Sequence, residues 1–251
     1  MHRTQPKMRY PRSLCVWEKG HYKEKKMKPV KIGALTIGQS PRTDVAGEFL
    51  QAVGQEVELL QCGALDGLSR EEIGRMAPQE GDYILVTRLR DGTEVKIAER
   101  YIKLRMQECA QILRQAGATI LVLFCTGEFP ELEGQVLLLK PDVIMEHVVG
   151  GILPRGKLGA ILPSADQIPL LGKKWEKTGL QIELTAASPY SGKEEDFRRA
   201  ALYLKSKGVD LIVLDCIGFT VAIKRIVRET AQCPVILPRT LLGRIVGELI
   251  A

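Results

Sequence analysis

The feature that most limits what this chain can fold into is an internal repeat: four short blocks of its first half recur, in the same order, in its second. Lys31-Ile-Gly-Ala-Leu35 matches Lys157-Leu-Gly-Ala-Ile161 at an offset of 126, and Val57-Glu-Leu59 matches Ile182-Glu-Leu184 at 125. Gly117 through Gly127 matches Gly208 through Gly218 at 91, which lays Cys125 on Cys216, and Pro141 through Gly150 matches Pro238 through Gly247 at 97. A single match of this kind means little, because Gly followed by apolar residues is common in parallel sheets. Four in order, one of them superposing a cysteine on a cysteine, mark a duplicated unit. The fall in offset from 125 to 91 gives the first half about 34 extra residues, in the stretch 66–100. There Asp91-Gly92, between two strand-like runs, reads as a hairpin turn.

Short runs rich in Val, Ile and Leu alternate with longer segments of helical period, the pattern of parallel sheets wrapped by helices. The spacing predicts strands at Lys31–Ile37, Val57–Gln61, Tyr83–Thr87, Thr119–Phe124, Val136–Leu139, Leu158–Leu162, Gln181–Thr185, Asp210–Leu214 and Val235–Leu237. The fold class that follows is α/β: two duplicated parallel-sheet halves, 30–150 and 151–251, related by a pseudo-twofold axis and preceded by a tail, 1–29. Ligands of such sheets bind beyond the carboxyl ends of the strands. Cys125 and Cys216 each lie just past a predicted strand end, so both are expected to face one central cleft.

Charge and composition narrow the classes of partner. The formal charge of +6 resides in the tail, which holds nine of the 36 Lys/Arg and two of the 30 Asp/Glu, leaving 27 basic against 28 acidic residues in the body. A nucleic-acid-binding body is therefore not expected. The tail lacks helical periodicity and is expected to be disordered. Lys23-Glu24 can be encoded by a purine-rich ribosome-binding sequence just ahead of Met27, so translation is expected to begin at Met27. No run of 18 apolar residues and no export-type segment is present, which points to the cytosol and away from membranes. The six cysteines form no CxxC pair and there are three histidines, so neither a metal site nor a disulfide framework is indicated and the thiols are expected to be reduced.

Two thiols on opposite sides of one cleft suit a particular task. A carbon acid can be inverted without any cofactor if one base takes its proton from one face and an acid returns another from the opposite face. Each cysteine is followed by x-Gly and a helix or turn, so amides around Thr126-Gly127 and Ile217-Gly218 are candidates to lower a thiol pKa and to bind a carboxylate. In Gly38-Gln-Ser40-Pro41-Arg42 the serine reads as a helix cap, the proline as first helical residue, and Ser40 and Arg42 as a carboxylate cradle or an ordinary helix start. Thr87-Arg88 offers a second anion contact. Ser164 and Ser188 read as caps, Cys15, Cys62, Cys109 and Cys233 as structural, Trp175 as a packing residue, and Lys173-Lys174 and Arg198-Arg199 as solvated helix faces.

With Leu35-Thr-Ile-Gly38, Leu68-Ser-Arg-Glu-Glu72, Leu162-Pro163 with Gln167, and above all Leu214-Asp-Cys-Ile-Gly-Phe219, the chain resembles the AroM family from Met27 to Ala251. AroM proteins are in turn similar to the aspartate/glutamate/hydantoin racemase superfamily. That resemblance implies two similar α/β halves with one catalytic cysteine each, falling here on Cys125 and Cys216. The amino-acid racemases of the superfamily have Asn-Thr after the first cysteine and Thr or His after the second. Here Thr126-Gly127 and Ile217 stand instead. The superfamily also includes maleate isomerase and arylmalonate decarboxylase, and an acidic substrate is the shared thread.

The resulting expectation is a cofactor-independent racemase or isomerase of a small carboxylic acid, with a homo-oligomeric assembly left open. Two alternatives stand beside it: a decarboxylase or lyase using one thiol, and a non-catalytic sensor of small carboxylates. A Cys125–Cys216 redox disulfide is a further one, and it requires Cα atoms within about 7 Å.

Overall fold

The structure, a computed structural model, describes residues 29–129, 132–134 and 137–251. The predicted disordered tail, with Cys15 and Trp17, lies outside the described residues. The first half contains β1 (Val30–Thr36), α1 (Thr43–Val53), β2 (Val57–Gly63), α2 (Arg70–Gly74), β3 (Ile84–Arg88), β4 (Glu94–Ala98), α3 (Lys103–Gln115), β5 (Ile120–Leu123), β6 (Leu137–Leu139) and α4 (Pro141–Ile152). The second contains β7 (Lys157–Leu162), α5 (Ile168–Glu176), β8 (Gln181–Ala186), α6 (Glu194–Ser206), β9 (Leu211–Leu214), α7 (Val221–Ala231), β10 (Val235–Ile236) and α8 (Pro238–Ile250).

Each half builds one four-stranded parallel sheet, ordered β2-β1-β5-β6 in the first and β10-β9-β7-β8 in the second. Read from corresponding ends, the two orders are the same. The central strands β5 and β9 are short aliphatic runs buried at every position, as strands covered by helices on both faces must be. The repeat extends to register. Ile32 pairs with Ile120 in one sheet and Leu158 with Leu211 in the other, in keeping with the offsets of 126 and 91. Leu121 pairs with Leu138 and Ile212 with Val235, in keeping with 97.

The β2/β8 block departs from this pattern. Lys31 pairs with Glu58, whereas its counterpart Lys157 pairs with Gln181, two residues before the Glu183 that sequence matching selects. A two-residue slip leaves every side chain on the same face, so the alternating pattern could not reveal it.

The 34 extra residues form α2 and the antiparallel hairpin β3–β4, turning at Asp91-Gly92, where Gly92 has φ +94°. The final helices are exchanged between halves. Met145 and Val149 of α4 pack on the second sheet beside Leu158 and Ala160, while Leu242 and Val246 of α8 pack on the first beside Ile32 and Ala34. Gly243 and Gly247 let α8 approach α1 closely: a Cβ on Gly243 would lie 2.6 Å from the Phe49 carbonyl, and one on Gly247 would strike that of Val53. The two halves are thus interlocked rather than merely apposed.

Cys62 of β2 and Cys109 of α3, 47 positions apart in sequence, form a disulfide, with Cα atoms 5.5 Å apart. This corrects the expectation that all thiols are reduced; the crossover that lays α3 on β2 brings together two cysteines whose spacing carries no signal. Among the described residues no helix is long and apolar enough to cross a membrane.

Candidate active site

The carboxyl ends of β5 and β9 face each other across the pseudo-twofold axis, and the loops that leave them carry Cys125 and Cys216. Both are free, and 7% and 5% exposed. Their sulfurs are held alike: the Gly127 N–H donates to Cys125 Sγ at 3.3 Å and the Gly218 N–H to Cys216 Sγ at 3.4 Å. Both cysteines line one narrow cavity of about 20 Å³, room for about one ordered water. A carboxylate ligand therefore requires the cleft to open.

Of the other residues that sequence reasoning nominated, Arg42, Thr87, Thr126, Gly127 and Ile217 line this cavity. Thr87 is fully buried and its hydroxyl has no hydrogen-bond partner, so it is free to meet a ligand. Gly218 acts on Cys216 through its amide but stands outside the lining.

Ser40 and Arg88 are elsewhere. Ser40 gives its hydroxyl and amide to Asp66, and the Ser40-Pro41 peptide is cis. The helix begins at Thr43, with Arg42 at the N-cap, so neither Ser40 nor Pro41 has the predicted capping role. Arg88 lies at the hairpin's turn end, half exposed, donating to the Gly92 carbonyl at 3.1 Å. Ser188 does act as a turn cap, accepting from the Tyr190 and Ser191 amides at 3.1 Å while donating to Glu94. The Ser164 hydroxyl caps no amide and contacts Asp166 instead.

The surroundings of the two thiols differ sharply. Behind Cys216 stands Tyr190, its hydroxyl 3.7 Å from Sγ and accepting from the Arg42 guanidinium at 3.3 Å. Because Arg42 occupies a lone pair of that oxygen, the hydroxyl proton is free to point at the sulfur. Burial works against the Arg42 charge, but Tyr190 and the bidentate partner Asp44 hold it above its ordinary pKa. Gly218 makes room for Tyr190, since a Cβ there would lie 2.5 Å from the ring.

Beside Cys125 lies a buried ion pair. Lys174 Nζ donates to Asp215 at 2.9 and 3.0 Å and to the Thr126 carbonyl at 3.0 Å, and Trp175 Nε1 donates to Asp215 at 2.9 Å. Lys174 thus departs from its predicted solvated role: its side chain is 1% exposed, and Asp215, the residue before Cys216, is what draws it in. Arg198 and Arg199 are on the surface, as predicted, in ion pairs within their own helix.

Burial raises both thiol pKa values. Cys125 is pushed up to about 12, chiefly by burial against the Gly127 amide, with Cys216 adding to the rise. For Cys216 the rise from burial is opposed by the Gly218 amide, the Tyr190 hydroxyl and the Arg42 charge. The x-Gly amides do reach the sulfurs, as the sequence suggested, but with the cleft closed they do not overcome desolvation. Tyr190 and Gln167 were missed as lining residues; Gln167 donates to the Ile84 carbonyl at 2.8 Å and its own oxygen is buried without a partner. Only its place in the motif with Leu162-Pro163 drew attention to it.

Two interlocked parallel-sheet halves of this kind also occur in several solved structures, to which the likeness is one of fold. The chain matches glutamate racemase from Aquifex pyrophilus at 16% identity and a TM-score of 0.55, covering 88% of this chain and 84% of that one. An unliganded arylmalonate decarboxylase matches at 12% identity and 0.57, over 88% and 93% of the two chains. Maleate cis-trans isomerase from Nocardia farcinica matches at 11% and 0.57, over 88% and 92%. Within that fold the chain belongs to the AroM protein family, whose model matches residues 32–250. Among curated protein sequences there is no significant match.

Proposed function

We propose that the protein is a cofactor-independent racemase or isomerase of a small carboxylic acid, in which Cys216 is the base and Cys125 the opposing acid. One observation carries this reading: two thiols at equivalent strand ends line a single cavity, each held by the amide two residues on. Cys216 as thiolate takes the proton from the carbon next to the carboxylate. The electron pair of the broken C–H bond moves into the carboxyl group, and the planar intermediate takes a proton from the Cys125 S–H on its other face. Arg42 and the unpartnered Thr87 hydroxyl would hold the acid group, with Thr126, Gly127 and Ile217 forming part of the walls.

The wall favours acids without an α-ammonium group. The carboxylate that lines the cavity, Asp215, is already engaged by Lys174 and Trp175. An ammonium would therefore meet no unengaged counter-charge in the lining itself. The unequal support of the two thiols favours a second reading, a decarboxylase or lyase that uses Cys216 alone. Maleate isomerase, a fold relative, has been trapped with a covalently bound succinylcysteine intermediate.

The deciding experiment is deuterium incorporation from heavy water into a panel of small hydroxy, keto, unsaturated and amino acids, followed by NMR. Exchange next to a carboxylate that falls about 10²–10⁴-fold in both Cys125→Ser and Cys216→Ser supports paired proton transfer. Loss in Cys216→Ser alone favours the single-thiol reading. A panel member that binds without exchange, and binds the double variant equally well, replaces both readings with that of a sensor.

A further inference from the structure

A second polar groove lies away from the cysteines, between α7 and α8. Its walls are Val221, Lys224, Arg225 and Arg228 of α7 with Thr240 and Arg244 of α8, and it encloses about 270 Å³. The four α7 residues follow the i, i+3, i+4, i+7 spacing of one helix face, and Thr240 and Arg244 are one turn apart on the facing helix. Four cations thus converge on one concavity lined by no carboxylate. Among the described residues none of the four side chains makes an ion pair or a hydrogen bond, although surface arginines elsewhere, such as Arg198 and Arg199, are paired.

This crowding is not a by-product of a basic protein, since the body has 27 basic and 28 acidic residues. Like charges on one wall oppose folding unless something offsets them. Lys224 registers the conflict: burial, then Arg244 and Arg228, lower its pKa.

We infer that this groove is a binding site for a phosphorylated small molecule carrying two or more phosphoryl charges. Guanidinium groups bind phosphoryl oxygens in pairs and the ammonium supplies a point charge, while Thr240 offers a hydroxyl. The volume accommodates a diphosphate and part of the molecule bearing it. The groove is also joined to the cysteine site. Thr220, four residues past Cys216, caps α7, and Arg239 of α8 donates to the Ile217 carbonyl at 3.0 and 2.7 Å. Occupancy of the groove would therefore bear on the loop that holds Cys216.

The test is titration calorimetry of the full chain with inorganic pyrophosphate, repeated with sulfate, with a single-stranded RNA oligomer, and with Lys224→Gln, Arg228→Gln and Arg244→Gln variants. Arg225, Arg228 and Arg244 are exposed and Lys224 is half-buried, so the variants should fold. The expected result is saturable pyrophosphate binding, weakened on the order of tenfold by each substitution and stronger than sulfate binding. No binding overturns the inference. So does binding that the variants leave unchanged, which would place the anion on the basic N-terminal segment. RNA binding that is lost in the same variants and falls steeply with salt also overturns it, in favour of a nucleic-acid surface.

Discussion

The first turns of α4 and α8 occupy equivalent places in the two halves, yet one carries Asp142 and the other Arg239. Both are buried, 6% and 0% exposed. The polarity of their neighbours is inverted as well. At the offset of 126 that aligns β1 with β7, Glu48 of α1 falls on Lys174 of α5; Glu48 binds Arg239 at 3.1 Å, whereas Lys174 lies near Asp142 and binds Asp215. Asp215 in turn occupies the position that Phe124 holds before the first cysteine. A duplicated scaffold has kept its backbone symmetry and reversed its buried charges. The lesson is that two thiols in equivalent positions need not be chemically equivalent: one has a hydroxyl and a guanidinium behind it, the other an apolar wall and a neutralised ion pair.

The sharpest way to break the comparison is to remove one charge from each half. Asp215→Asn leaves Lys174 charged and buried, and should cost about 3–5 kcal/mol in urea denaturation, with much of that regained in the double variant Lys174→Met/Asp215→Leu. Glu48→Gln also leaves a buried cation, but Arg239 keeps the Ile217 and Asp44 carbonyls, so it should cost less, about 1–3 kcal/mol. Equal losses would mean that the halves are not electrostatically distinct.

Next in size is a glycine pair, Gly247 of α8 and its counterpart Gly150 of α4. Gly247→Ala drives a Cβ into the Val53 carbonyl and should lower stability by about 1–3 kcal/mol. Gly150→Ala meets open space and should leave stability unchanged or raise it by up to about 1 kcal/mol. Thermal melting of the two variants side by side checks this.

A smaller effect should appear in the pH profile. Because the Cys216 pKa is raised above 9.0, kcat/KM should climb through the alkaline range. Tyr190→Phe removes a donor to the thiolate, so the limb should move to higher pH, with about tenfold less activity near pH 8. Tyr83→Phe, whose hydroxyl accepts the Glu128 amide instead, should leave the limb in place.

A slope rather than a single difference tests the other thiol. Cys125 keeps its proton to about 12 when folded and would lose it near 9.0 unfolded, so the stability it contributes is present below pH 9 and is lost as pH rises toward 12. Chemical denaturation between pH 8 and pH 11 should fall less steeply in Cys125→Ala, by up to about 1.4 kcal/mol per pH unit.

The sequence by itself determined the repeated architecture. Parallel strands buried on both faces must be short aliphatic runs, and a duplication repeats those runs with their glycines, so strand positions, the inserted hairpin and the equivalence of Cys125 with Cys216 were all legible. These are local patterns. Contacts between distant segments were not. Lys173 and Lys174 look alike in sequence, but one turns to solvent and the other meets an aspartate 41 residues away. Tyr190 reaches Arg42 across 148 residues, and Cys62 finds Cys109 only because a helix lies over its strand. The two-residue slip in β8 and the exchange of α4 and α8 leave hydrophobic periodicity unchanged, since that periodicity records which face is buried and not what buries it. Which thiol has polar support, and where uncompensated charge gathers, were therefore decided by the tertiary structure alone.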